Sequence, residues 1–131
     1  YGTTGISISD HPMRHLRRGL QRRRVRCANE QARWRKGQQV TVAGVVLTRQ
    51  RPGTAGGVVF VTLEDETGTV NVVLYSNVFD EFELVARGAG MLLARGRVDR
   101  RGEVVHVRAS HLERLDLPQG TALAVRSRDF H

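Results

Sequence analysis

The chain is short of the groups that most chemistry requires. It has one cysteine, Cys27, so no intrachain disulfide can form, and a reducing cytosol is the expected setting. That thiol has no evident activating partner, and nucleophilic catalysis needs one. No apolar run approaches the roughly 20 residues of a membrane span, and no secretory leader is visible. Gly53, Gly56 and Gly57 are scattered and lack the Lys-Ser/Thr that follows a nucleotide-hydrolase phosphate loop. His11 and His15 lie four apart, and His106 and His111 five apart, but no cysteine pair or carboxylate pattern accompanies them. No metal or cofactor is therefore expected in this stretch. Glu64, Asp65 and Glu66 are consecutive, so their side chains cannot all converge if extended; a solvated turn is expected.

What is present is positive charge, unevenly placed. The formal net charge is +8. Residues 1–38 hold ten basic and two acidic groups, whereas residues 39–131 hold eleven of each. A basic segment attached to a neutral body draws polyanions, of which nucleic acid is the commonest. At 131 residues the chain has room for one small domain with extra structure beside it. It begins at Tyr1 without methionine and reads as a piece of a longer protein.

Gly57 to Tyr75 carries the clearest pattern. Val59, Val61 and Leu63 alternate onto one side of an extended chain, and Val70, Val72 and Leu74 do the same after the Glu64–Gly68 turn. The opposite side carries Phe60, Asn71 and Tyr75, and a core does not account for its two aromatics. A hairpin with one apolar face and one aromatic outer face fits strands two and three of a five-stranded OB barrel (oligonucleotide/oligosaccharide-binding). The rest of the chain supplies the other parts. Ser9 or Asp10 is placed to cap a helix that begins at Pro12, with Met13, Leu16 and Leu20 as a narrow apolar stripe among arginines. That helix either packs on a neighbour or tracks phosphates. Cys27 to Trp34 reads as a second short helix, ended by Gly37. Val40 to Arg51 is a long first strand, with Gly44 as its expected bulge. Ser76 to Gly88 reads as one helix between strands three and four, Met91 to Arg101 as strand four, and Glu103 to Ala109 as strand five. The fold class is thus mainly β: a barrel over 39–112, a basic helical extension over 1–38 whose removal is expected to leave the barrel folded, and a tail over 113–131.

Several stretches are more specific. V-T-V-A-G-V-V-L-T-R-Q-R-P-G-T-A at 40–55, V-F-V-T-L-E-D-E-T-G-T-V-N-V-V at 59–73, L-L-A-R-G-R-V at 92–98 and G-E-V-V-H-V at 102–107 resemble the C-terminal OB domain of bacterial C-family DNA polymerases. The R-Q-R-P-G-T-A loop and the terminal S-R-D-F-H resemble the error-prone, damage-inducible branch, a paralogue of the replicative alpha subunit. G-I-S-I-S-D-H-P at 5–12 is similar to the lead-in segment of that domain. The F-x-x-L-x-D-x-x-G hairpin also occurs in anticodon-binding domains of class II aminoacyl-tRNA synthetases; the loop and terminus separate the two. The resemblance implies a cytoplasmic parent that copies DNA past lesions with accessory proteins. Its magnesium-dependent aspartates belong to a palm domain that these residues do not include, so no catalytic residue is expected.

The binding candidates follow. Phe60 and Tyr75 can stack bases, with Asn71 beside them. Arg49 and Arg51 border the first loop, Arg95, Arg97, Arg100 and Arg101 lie on strand four and its turn, and Arg108 lies on strand five, where they can hold phosphates. The first expected partner is single-stranded template DNA, together with the other polymerase domains. The alternative is docking on accessory translesion proteins, and tRNA comes third.

Overall fold

A computed structural model describes residues 11–50 and 57–117. Five strands close a barrel in the order β1-β2-β3-β5-β4. They are β1 (Gln39–Gln50), β2 (Val59–Asp65), β3 (Gly68–Leu74), β4 (Met91–Arg101) and β5 (Val104–Arg114). β3 and β5 run parallel, and the other seams are antiparallel. The alternation read in the hairpin holds on the inner face, where Val59, Val61, Leu63, Val70, Val72 and Leu74 are all buried.

Two close approaches shape the closure. A Cβ on Gly44 would lie 2.7 Å from the Glu64 carbonyl oxygen, and one on Gly96 only 2.0 Å from the Arg108 carbonyl oxygen. The bulge expected at Gly44 instead falls between Val46 and Thr48. Gly44 is needed because β2 crosses directly over it. A second irregularity separates Arg95 from Gly96, where β4 bends against β5.

Helix α1 (Pro12–Arg22) is capped by His11; Ser9 and Asp10, the expected caps, lie outside the described residues. The His11 side chain accepts from the Met13 amide at 3.2 Å, and Pro12 occupies the first turn. Met13, Leu20 and Val25 form a second apolar cluster with Ala43 of β1 and Leu93 of β4. The helix thus covers the outer side of β1 and β4. Cys27 to Trp34 contains a 3-10 turn, Ala28–Arg33, and both Ala28 and Trp34 enter the barrel's own core. The helix expected between β3 and β4 is two pieces, α2 (Ser76–Glu81) and α3 (Glu83–Gly88), interrupted at Phe82, whose φ of −113° is not helical. No described helix is long and apolar enough to cross a membrane.

The acidic turn corrects the sequence reading. Glu64 and Asp65 are 1% and 2% exposed, so this is no solvated tip. His11 Nε2 lies 3.3 Å from Glu64 Oε1. Asp65 accepts from the Ala28 amide with one oxygen, at 2.8 Å, and from the Thr67 and Gly68 amides with the other. Glu66 takes two hydrogen bonds from Arg17, at 2.6 and 2.9 Å. The three acids do not diverge fully, as extended neighbours would: Glu64 meets His11, Asp65 meets the Ala28 amide, and Arg17 reaches both Glu66 and, at 3.5 Å, Asp65. Burial is the largest single influence on the Glu66 carboxyl and raises it; the Arg17 hydrogen bonds, a backbone hydrogen bond and the Arg17 charge together hold the group below its ordinary value. The same contact raises the Arg17 guanidinium.

Candidate nucleic-acid interface

With α1 covering β1 and the Leu93 end of β4, the outer side of β2, β3, β5 and the far end of β4 carries the exposed chemistry. Strand pairing builds it in rows. Phe60 pairs with Val73, Val73 with Arg108, and Arg108 with Arg97, so one row crosses four strands. At three inter-strand spacings it is about 14 Å long. The adjoining row is Thr62, Asn71, His106 and Asp99. Asn71 is exposed and accepts from the Thr62 hydroxyl at 3.1 Å.

Two hollows lie along these rows. Phe60, Tyr75, Arg101, Val104, His106 and Arg108 line the first. The Phe60 and His106 rings stand 6.5 Å apart and tilted by 55°. The second hollow shares Tyr75, Asp99 and Arg108 with the first and continues to Arg97, Lys36 and Asn77. It is the larger, 470 against 290 Å³, so most of the groove lies on the β4 side. At the junction, the Arg108 guanidinium sits over the Tyr75 ring, 4.0 Å from its centre. This is cation–π geometry, and it gives a flat cationic surface next to an aromatic one. Arg108 and Arg101 have no acidic partner among the described residues, although Asp99 puts one negative charge into the groove.

The structure therefore brings together Phe60, Tyr75, Arg97, Arg101 and Arg108, with Asn71 on the neighbouring row. It places the others elsewhere. Arg49 donates to the Ala86 carbonyl at 2.6 Å and to the Ala89 carbonyl, fastening the end of α3, and burial lowers its guanidinium from the ordinary value. Arg100 turns toward the N-terminal segment and donates to the Ala32 and Trp34 carbonyls, both at 3.1 Å. Arg95 is exposed on β4, beyond either hollow. Arg51 lies outside the described residues. The fold adds His106, Val104 and Lys36, which sequence reasoning misses. His106 and Val104 are legible as outward positions of strand five, two and four residues before Arg108. Lys36 gives no signal, because nothing local tells that its loop returns to β4. Among the described residues no cluster of three His, Cys, Asp or Glu side chains is placed to hold a metal.

The profile of the OB-fold nucleic acid binding domain family matches residues 40–115. The chain belongs to this family. The strand order, the parallel β3–β5 seam and the helical pieces between β3 and β4 are those of an OB barrel. All 131 residues align at 50% identity with an error-prone DNA polymerase of Anaeromyxobacter sp. (strain K), and at 48% with one of Azoarcus sp. (strain BH72). They span 11% and 12% of those polymerases' lengths. This agrees with the resemblance in the loop and terminus. Among solved structures, asparaginyl-tRNA synthetase from Pyrococcus horikoshii complexed with asparaginyl-adenylate aligns with a TM-score of 0.57 and 27% identity, over 72% of this chain and 23% of that one. An OBody, AM1L10, bound to hen egg-white lysozyme aligns at 0.56 and 24% identity, over 72% and 94% of the two chains, and shares the fold.

Proposed function

We propose that this OB domain holds single-stranded template DNA for an error-prone DNA polymerase in the bacterial cytoplasm, and contributes binding rather than chemistry. The observation that carries the reading is the row Phe60–Val73–Arg108–Arg97 with Tyr75 under Arg108. The exposed Tyr75 ring and the half-buried Phe60 ring offer stacking faces to unpaired bases, and arginines without acidic partners offer contacts to phosphates. The groove needs no cofactor for this; magnesium would serve the polymerase chemistry, outside these residues. The polymerase relatives support DNA as the nucleic acid.

The test is binding of oligothymidylate by fluorescence anisotropy, beside thermal unfolding. Phe60→Ala is expected to weaken binding by about 1–3 kcal/mol, with a small change in melting temperature. A large drop in melting temperature with unchanged affinity would remove Phe60 from the interface. Stronger binding of tRNA than of a DNA strand would shift the reading toward the synthetase-like domains. Absence of any nucleic-acid binding would favour docking on accessory translesion proteins, for which Leu84, 89% exposed on α3, is an available contact.

A further inference from the structure

The groove does not end at β4. Its larger hollow is lined by Lys36 and Gly37, and the same two residues line a further depression with Arg33, Arg35 and Gln38. This segment joins the 3-10 turn to β1 and is fixed to the barrel from several sides. The Gly37 amide donates to the Val98 carbonyl at 2.7 Å, and the Val98 amide returns a bond to the Gln38 carbonyl at 2.8 Å. Arg97 donates to the Gly37 carbonyl at 3.0 Å, Arg100 holds the Trp34 carbonyl, and the Trp34 side chain is buried in the core. Gly37 turns the chain with a φ of +85°, which a residue with a Cβ adopts only under strain.

On this fixed backbone the side chains of Arg33, Arg35 and Lys36 are exposed. None has an acidic partner among the described residues, whereas Arg17, Arg23 and Arg26 of the same N-terminal stretch are paired with Glu66, Glu113 and Glu30. Three unneutralised cations in line with a groove, on a backbone already ordered, can take phosphates with only their side chains left to order.

We infer that residues 33–36 form a second phosphate-binding segment, onto which a single strand of DNA continues after it leaves Tyr75 and Arg108. This path rests on the reading of the groove as a single-strand site. It makes affinity depend on strand length, since a short oligonucleotide fills the Phe60–Arg108 end and only a longer one reaches the loop.

The experiment compares the 131-residue chain with its R33A/R35A variant on oligothymidylates of increasing length, at several salt concentrations; Lys36 is kept because it also lines the groove. Both side chains are exposed, and an unchanged melting temperature checks that the variant is folded. The variant is expected to match the parent on the shortest strands that bind and to lose much of the gain on longer ones. Its slope of log affinity against log salt on long strands should fall by about 1.4, at roughly 0.7 for each phosphate that the variant no longer neutralises. Equal affinity and slope on long strands, with Arg108→Ala still impaired, would overturn the second segment and leave the groove reading intact. If the parent chain binds no oligonucleotide of any length, both readings fail.

Discussion

Gly96 illustrates how much of this domain is decided at single positions. Its Cα faces the Arg108 backbone so closely that a methyl group would lie 2.0 Å from the carbonyl oxygen. Backbone cannot rotate away as a side chain can, so Gly96→Ala must push β4 from β5. A cost of about 2–3 kcal/mol is expected by chemical denaturation, the upper end for overpacking. Gly44→Ala meets the Glu64 backbone in the same way and should cost a comparable amount. The two differ in binding, because Gly96→Ala displaces the strand segment that carries Arg108 whereas Gly44 lies on β1, under β2. Single-strand affinity should fall for the first and hold for the second. Arg17 is the other decisive residue. Its guanidinium and the Glu66 carboxylate are 12% and 14% exposed, so removing one leaves the other poorly solvated. Arg17→Ala is expected to destabilise the fold by about 2–3 kcal/mol. The pair also sets an acid dependence. Glu66 is held below its ordinary value in the folded chain, so its contribution is complete above the ordinary carboxylate range and is lost as pH falls through the lowered folded value. In Arg17→Ala this part of the acid destabilisation should disappear from the stability–pH profile.

The N-terminal elements are integral to the barrel. By sequence alone, removal of residues 1–38 leaves the barrel folded and only weakens polyanion binding, since the segment is basic and the strands begin after it. The structure gives the opposite expectation. Trp34 and Ala28 belong to the barrel core, and Met13, Leu20 and Val25 shield Ala43 and Leu93. Loss of a buried Trp alone costs about 3–5 kcal/mol, against a total of about 5–15 kcal/mol for a domain of this kind. The deletion also strips Asp65 of its bond from the Ala28 amide and Glu64 of His11. A chain lacking 1–38 is expected to show no cooperative unfolding transition; a sharp melt near that of the intact chain would refute this.

On the scale of the whole molecule, the basic extension and the neutral barrel are not electrostatically separate. Arginines of the extension neutralise barrel acids, as Arg17 does Glu66 and Arg23 does Glu113, and the groove arginines have no acidic partner among the described residues. The Arg23 contact holds the Glu113 carboxyl below its ordinary value, although both groups are exposed and solvent screens the pair. The net charge of +8 is therefore a poor guide to where a polyanion sits. Neutralising Arg97 and Arg108 to Gln should lower the salt slope of single-strand binding by about 1.4, at roughly 0.7 for each phosphate. Neutralising Arg18 and Arg22, exposed on α1, should change it less, which titrations across a range of salt concentrations resolve.

Local sequence determined the strands, their inner faces, the hairpin and the membership of the OB family, because alternation and turn residues act over a few positions. It also placed Phe60, Tyr75 and Arg108 on outward faces. Which outward face stays uncovered was decided by tertiary structure alone. Alternation cannot tell a groove from a docking surface, and the seating of α1 on β1 and the Leu93 end of β4 leaves β2, β3, β5 and the Arg97 end of β4 open. The same holds for the acids at 64–66, which look solvated until His11, Arg17 and the Ala28 amide arrive from more than thirty residues away. Charge and polarity are properties of residues; burial and partnership belong to the fold, and here they reversed the local reading.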